Sequence, residues 1–421
     1  MPRPMSMMNR EMTKTGLYSQ LARDGGTPAR TRPEPPMFPG GMEYGEEEVE
    51  AASRVIRSRN PFRYYGVGEG PHEVLDFEQE FAAHLGAKHA LMVNAGSSAL
   101  ICGLVGAGVR PGDEVIVPAY TWNATANAVV AVGAIPVLAD IDDSLTLDPE
   151  DVERQLTSKT RAILPVHMRG APADMDALTR IARERGLALI EDVCQAAGAS
   201  FRGRRLGTFG DAGAFSLQFN KILTTGEGGV MITDREDLLD LAIDVHDCAG
   251  SVRRGVGLPH YAGFNFRASE IQGAIARVQL TRLERLLERM RGNQARLAER
   301  VGAIPGLSLR RPNDDGGDAG ICLVAFAGTS EVAADFVDAL RFEGVMAMRI
   351  YSPDTIDLHV YPYWKPVLDR IDSSGREAPN RPRTLDLLER SIHVDVSPLS
   401  DDDDLDEIAA AFEKVAAAVV A

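Results

Sequence analysis

The strongest constraint in this sequence is an alternation between residues 73 and 192. Short, mostly apolar runs at 89–93, 113–117, 135–139, 161–167 and 188–192 read as strands buried on both faces. Segments 73–85, 97–104, 122–132 and 175–185 carry helical spacing and separate them. Strands of this kind need helices on both sides, so the chain is an α/β protein built from βαβ units around a mostly parallel sheet.

Three parts follow from that core. Residues 1–45 are rich in Pro, Gly, Met and Arg, with little periodicity. They predict an arm lying on the body or on a partner subunit, with disorder as the alternative. A polar-faced helix at 46–59 opens a large domain over 46–292. Residues 270–301 read as one long helix, with Ile271, Ile275, Val278, Leu283, Leu286, Leu287 and Met290 near 3.6 spacing. Its Arg291-Gly292-Asn293 segment predicts a break between domains. Strands at 320–326, 345–350 and 391–396, with helices at 330–342 and 402–419, predict a smaller C-terminal α/β domain over 293–421. The run Asp401–Asp404 predicts an acidic N-terminal cap on the last helix.

The charge balance narrows the function. Lys plus Arg number 45 against 61 Asp plus Glu, a net −16 over 421 residues. Binding a phosphate backbone needs a basic face, so this argues against a nucleic-acid partner. No stretch reaches the roughly 18–20 apolar residues of a membrane helix. The opening residues lack the apolar core of a secretory signal. Cys102, Cys194, Cys248 and Cys322 form no CxxC pair, which indicates neither a zinc site nor a disulfide frame. A soluble, reduced, cytoplasmic protein without a metal is expected.

Five features carry chemistry. Lys221 sits in AFSLQFNKILTTGEGG, a mostly uncharged segment where desolvating an ammonium is costly; an amine kept there suits Schiff-base formation. The alternative is a surface lysine on an irregular loop. Asp192 ends an apolar strand, where open parallel sheets place ligands. It suits a protonated pyridine nitrogen, or else caps the next helix. Glu191 beside it offers a possible metal pair, but no His or Cys stands at ligand spacing. Gly96-Ser97-Ser98 follows a strand and opens a helix, the arrangement of a phosphate seat, and Ser216 offers another hydroxyl. Trp122 follows a strand end, where an indole covers a ring or fills the core. Each feature alone has an ordinary structural reading. In order along the chain, they supply the phosphate cradle, ring cover, pyridinium partner and lysine that pyridoxal 5′-phosphate requires.

Longer motifs make the resemblance specific. FEQEFAAHLGAKHALMVNAGSSAL, PGDEVIVPAYTWNATANAV, PVHMRGAPADMDAL, IEDVCQAAGASFRGRRLGTFGDAGAFSLQFNKILTTGEGG and GFNFRASEIQGAIARVQL stand in order. Over residues 45–300, and more loosely to the end, the chain resembles the DegT/DnrJ/EryC1/StrS family of sugar aminotransferases. The resemblance implies an aspartate-aminotransferase-like fold (fold type I), with a large cofactor domain and a smaller C-terminal domain. It implies pyridoxal phosphate cycling through pyridoxamine 5′-phosphate. It places phosphate binding on Ser97, Ser98 and Ser216, and ring stacking on Trp122. By the same resemblance, the pyridinium partner falls on Asp192, the residue near the phenolic oxygen on Gln195, and the Schiff-base lysine that shuttles the proton on Lys221. Asn265 or Arg267, in GFNFR, reaches the phosphate of a neighbouring subunit, which implies a homodimer with shared sites.

The departures are local. Gly96-Ser97 stands where most relatives have Gly-Thr, and the hydroxyl is kept. Arg169 stands where many carry an apolar or aromatic residue, and either meets a negative substrate group or faces solvent. SLQFNKILTTGEGG, with Gln218 and Thr224, is similar to the branch using L-glutamine to aminate scyllo-inosose-type cyclitols, and ARDGGTPARTRP resembles the arms of that branch. DLHVYPYW offers Asp357, His359 and Tyr361 for the keto acceptor. The expected reaction moves an amino group from L-glutamine or L-glutamate to a keto sugar or keto-cyclitol. The alternatives are an aminohydroxybenzoate-synthase-like lyase and a non-catalytic regulatory protein. Lys221 argues against the dehydratase branch, which carries histidine there.

Overall fold

The computed structural model describes residues 20–67 and 69–420. Its main sheet contains β1 (His89–Val93), β2 (Glu114–Pro118), β3 (Ile135–Ala139), β4 (Thr160–Ile163) and β5 (Ala188–Asp192). A small hairpin, β6 (Ser200–Phe201) and β7 (Arg204–Arg205), lies outside it, and β8 (Ala212–Ser216) and β9 (Gly229–Thr233) complete it. The strand order is β1-β9-β8-β5-β4-β2-β3. Only β9 runs antiparallel to its neighbours in this sheet.

Helices cover both faces. Before β4 come α1 (Glu46–Ser58), α2 (Glu73–Leu85), α3 (Gly96–Gly106), α4 (Ala124–Ala131) and α5 (Pro149–Gln155). After it come α6 (Met175–Arg185), α7 (Glu236–His246), α8 (Gly250–Arg253), α9 (Glu270–Leu280) and α10 (Leu283–Gly302). Successive strand residues point to opposite faces. Ile190 packs with Leu100 of α3, Val129 of α4 and Leu238 of α7. Leu189 packs with Phe77 of α2, Leu178 of α6 and Leu283 of α10.

The smaller sheet is antiparallel, in the order β10 (Ser308–Leu309), β11 (Cys322–Phe326), β13 (Ser391–Asp395), β12 (Ala347–Met348). With it stand α11 (Ser330–Phe342), α13 (Pro382–Arg390) and α14 (Asp402–Val419), whereas α12 (Lys365–Ser373) packs against β3 and α4 of the main sheet. Phe336 of α11 and Phe412 of α14 pack beneath Leu323 and Ala325 of β11. Asp401 caps α14 as its acid run predicts, its carboxylate accepting from Asp404 N–H at 2.8 Å.

The structure corrects the long-helix expectation. Residues 270–301 form two helices, with Thr281 and Arg282 between them in tight turns onto Val278 O and Gln279 O. Arg291-Gly292-Asn293 does not break α10; the helix runs through it. What changes there is the core: Leu287 and Met290 pack with the large domain, Leu297 and Val301 with the small one. Helix α4 starts at Ala124, leaving Trp122 in the turn before it. Residues 20–36 lie against the small domain and 37–45 against the large one. The first 19 residues of the expected arm lie outside the described residues.

Candidate active site

Strands β5 and β8 end on one side of the sheet, and their last residues, Asp192 and Ser216, line a cavity of about 360 Å³. Asp192, the last residue of β5, follows the inward direction of Ile190 and points toward α3 and α4. Thr125, in the first turn of α4, donates its hydroxyl to Asp192 Oδ2 at 2.7 Å. The N–H of Cys194 reaches Asp192 Oδ1 at 3.0 Å. The acid is buried at 4% exposure but lines the cavity, so its charge is presented inward.

Glu191 points to the opposite face. Its oxygens accept from Gly207 N–H at 2.7 Å, Phe209 N–H at 2.6 Å and Gly210 N–H at 2.9 Å, with His167 Nε2 at 3.2 Å. The two carboxylates therefore do not form one site.

The start of α3 forms one wall. Its N-cap, Ala95, has no side chain to cap the first N–H groups, which are left without helical acceptors. Ser97 is exposed on that turn and lines the cavity; Ser98 is buried and donates its hydroxyl to Asn94 Oδ1 at 2.7 Å. A β-carbon on Gly96 would lie 2.9 Å from Ser216 Cβ and 3.0 Å from Cys194 Sγ. One on Gly229 would lie 2.4 Å from Ala95 O. Both glycines let β8, β9 and the helix end converge. Such exposed N–H groups at a helix start attract phosphate.

Lys221 follows β8 on a loop whose turn is closed by its own N–H to Gln218 O at 2.9 Å. It lines the cavity with Ser216, and among the described residues its amine has no hydrogen bond or ion pair. Trp122 stands at the mouth, 46% exposed, its ring 5.0 Å from that of His359. The His359 ring is held in turn by Asp357 Oδ1 at 2.7 Å. His359 comes from the segment between β12 and α12 and reaches the site because Thr121 N–H bonds its carbonyl at 2.9 Å. Gln195 lines the cavity, its Oε1 accepting from Arg169 N–H at 3.0 Å.

The remaining predicted positions stand apart. The Arg169 side chain neither lines the cavity nor faces solvent. At 16% exposure it meets Asp395 Oδ1 at 2.5 Å and Cys322 Sγ at 3.1 Å. Tyr361 is buried, and its hydroxyl accepts from Arg381 N–H at 3.2 Å. Arg267 is tied to Asp247 Oδ1 at 2.6 Å, whereas Asn265 is exposed beside the end of β1. Sequence reading missed Thr125 and Cys194 as lining residues, together with Glu227. Thr125 had one usable signal, its place one helical turn after Trp122. Burial pushes the Cys194 thiol well above its ordinary range, so it lines the cavity as a thiol.

These residues fit pyridoxal phosphate. A helix start without a side-chain cap suits the phosphate, a buried acid suits the ring nitrogen, and the Lys221 amine, unpaired among the described residues, shares their cavity. A profile of the DegT/DnrJ/EryC1/StrS aminotransferase family matches residues 45–413. The chain belongs to that family. Its members are pyridoxal-phosphate-dependent aminotransferases of fold type I. Among relatives of this aminotransferase is the L-glutamine:2-deoxy-scyllo-inosose aminotransferase of Streptomyces fradiae. The two are 34% identical over 95% of this chain and 98% of the relative. The solved structure of DesV from S. venezuelae, in complex with a ketimine intermediate, is similar at TM-score 0.77 and 32% identity. It covers 91% of this chain and 99% of its own. A 3-amino-5-hydroxybenzoic acid synthase is similar at TM-score 0.78 and 30% identity, covering 91% and 99%. In the aminotransferase described here, no helix among the described residues is long and apolar enough to cross a membrane.

Proposed function

We propose that this aminotransferase moves the amino group of L-glutamine, or of L-glutamate, onto the ketone of a sugar or cyclitol. The setting is cytoplasmic amino-sugar or antibiotic biosynthesis. One observation carries the reading: Lys221, without a partner among the described residues, and buried Asp192 share one cavity. The name of the S. fradiae relative supports the donor and the cyclitol class.

When bound, pyridoxal phosphate supplies an electron-accepting ring and a carbonyl carbon that carries the amino group between substrates. The first N–H groups of α3 and the hydroxyls of Ser97 and Ser216 would hold its phosphate. Ser98 adds its backbone N–H, since its hydroxyl serves Asn94. Asp192, oriented by Thr125 and Cys194, would hold positive charge at the ring nitrogen. Trp122 would cover a ring face, and Gln195 would meet the phenolic oxygen. Lys221 Nζ takes the proton from Cα of the donor and gives one to the carbonyl carbon of the acceptor. One amine serves both because the half-reactions mirror each other. His359, held by Asp357 at the mouth, orients acceptor hydroxyls.

The site is completed in a homodimer. Arg267 is engaged by Asp247, so exposed Asn265 is the residue that reaches the neighbouring phosphate. Val252, Val256, Leu258 and Phe264 are exposed on the segment leading to it, an apolar face that a second copy would cover.

The likeness to the aminohydroxybenzoate synthase supports a second reading, an aromatising lyase using the same lysine. The test loads the enzyme with cofactor and follows visible absorbance against a panel of amino donors. Products from keto sugars and keto-cyclitols are then weighed. Bleaching by L-glutamine and a ketone-to-amine mass change are expected. If no donor bleaches the band, the transaminase reading fails; an aromatic ultraviolet product favours the lyase.

A further inference from the structure

The arm makes two kinds of contact that meet at Lys221. Over residues 20–36 it is stitched into the small domain by buried charge. Glu343, just past α11, is buried and pairs with buried Lys414 of α14 at 2.8 Å. The same carboxylate accepts Ala22 N–H and Ala29 N–H, each at 2.8 Å. Lys414 Nζ also donates to Thr27 O at 2.8 Å. The side chain of Arg30 is fully enclosed, at 2.7 Å from Asp404 and 3.1 Å from Glu407. Buried ions are kept only where partners surround them. This stretch is therefore built in rather than draped on.

The chain then crosses to the large domain. Ser397 Oγ donates to Pro36 O at 2.8 Å, and Met37 packs into the large-domain core. Phe38 lies 5.1 Å from Phe219, in the turn before Lys221. The N–H of Gly40 donates to the carbonyl of Lys221 at 3.0 Å. No β-carbon fits at that crossing: one on Gly40 would lie 2.8 Å from Ile222 O and 3.0 Å from Lys221 O. One on Gly41 would lie 2.7 Å from the Phe219 ring.

We propose that residues 20–45 form a positioning strap, anchored at the Glu343–Lys414 pair, which sets the backbone of Lys221 through Gly40. The amine of Lys221 is then aligned from both domains: by β8 from the sheet side and by the strap from the small-domain side. Gly40 touches neither substrate nor cofactor and acts only through the loop. The inference rests on Lys221 carrying the cofactor, as proposed above.

The test uses the full-length, cofactor-loaded enzyme. Gly40→Ala adds one methyl at the crossing and leaves the anchor intact. A Glu343→Gln/Lys414→Met pair loosens the anchor without leaving a lone buried charge. Misplacing a reacting group is costly, so each is expected to lower kcat about tenfold with little change in donor KM. Each should also move the pH at which the visible band changes. A purely structural contact would lower the melting temperature and leave that titration unmoved. Wild-type kcat and titration in folded Gly40→Ala overturn the proposal, and so does the same result in the folded double variant. Borohydride trapping of the wild type at Lys221 is read separately: no tag there refutes the lysine assignment itself, whatever the strap variants do.

Discussion

Glu191 and Asp192 are neighbours at the end of β5, both buried, and the sheet sends them to opposite faces. On one face Glu191 is saturated by three backbone N–H groups and His167, which pin the loop after β7 to the sheet. On the other, Asp192 has one hydroxyl and one N–H, and its remaining side opens on a cavity lined by Lys221, Ser97 and Trp122. Burial alone does not separate them. The difference lies in unused bonding capacity: a carboxylate whose lone pairs are all spent within the protein holds structure, and one facing a cavity is available to a ligand.

Mutations can break this contrast. Lys221→Ala should have the largest effect, lowering kcat by at least about 10³-fold while cofactor still binds noncovalently. Steady-state assay with a cofactor-binding titration checks both parts. Asp192→Asn should cost about 10²-fold in kcat because the ring nitrogen loses its counter-charge. Near-normal turnover there would dissolve the distinction between the faces. Glu191→Gln should behave oppositely, losing about 2–3 kcal/mol of stability in urea melts while the folded fraction keeps kcat within about twofold. Thr125→Val sharpens the picture most finely. It removes the bond to Asp192 together with contacts to Thr121 Oγ1 and Trp122 O, and should reduce kcat about fivefold while costing only about 1 kcal/mol of stability. The rate loss from Thr125→Val should vanish in an Asp192→Asn background, as a double-mutant cycle would show.

Much of this was legible in the sequence where local patterning and tertiary burial agree. Strands β1, β3 and β5 coincide with their apolar runs, and α2, α6, α11 and α14 with their periodicity. Strands β8 and β9 were not read from pattern. AGAFS is built mostly from small residues and GVMIT follows a Gly-rich stretch, so neither stands out as a bounded apolar run, although both are buried along their whole length. The cluster was readable because Asp192 and Ser216 end strands and Ser97 and Trp122 stand at helix starts, places sequence can locate, while Lys221 is a lone lysine in a mostly uncharged segment. Thr125 was harder: its place one turn after Trp122 was its only signal, and its role needs the partner Asp192, 67 residues on, to be placed. Arg169 was misread as a choice between substrate and solvent. Its partner Asp395 lies 226 residues further on, beyond the reach of local pattern.

Helix α10 has a mechanical meaning. Its 20 residues span about 30 Å, with the first half embedded in one core and the second in the other. Gly320, left-handed at φ 79°, presses its bare Cα against the backbone at Met290 and Arg291, where the helix changes cores. An unkinked helix bends little. It behaves as a lever with its fulcrum at that glycine. Any tilt of the C-terminal half must be answered at Gly198, which Leu287 touches beyond the carboxyl end of β5. A bulkier residue at position 320 would therefore be felt on the floor of the sheet, far from where it was introduced.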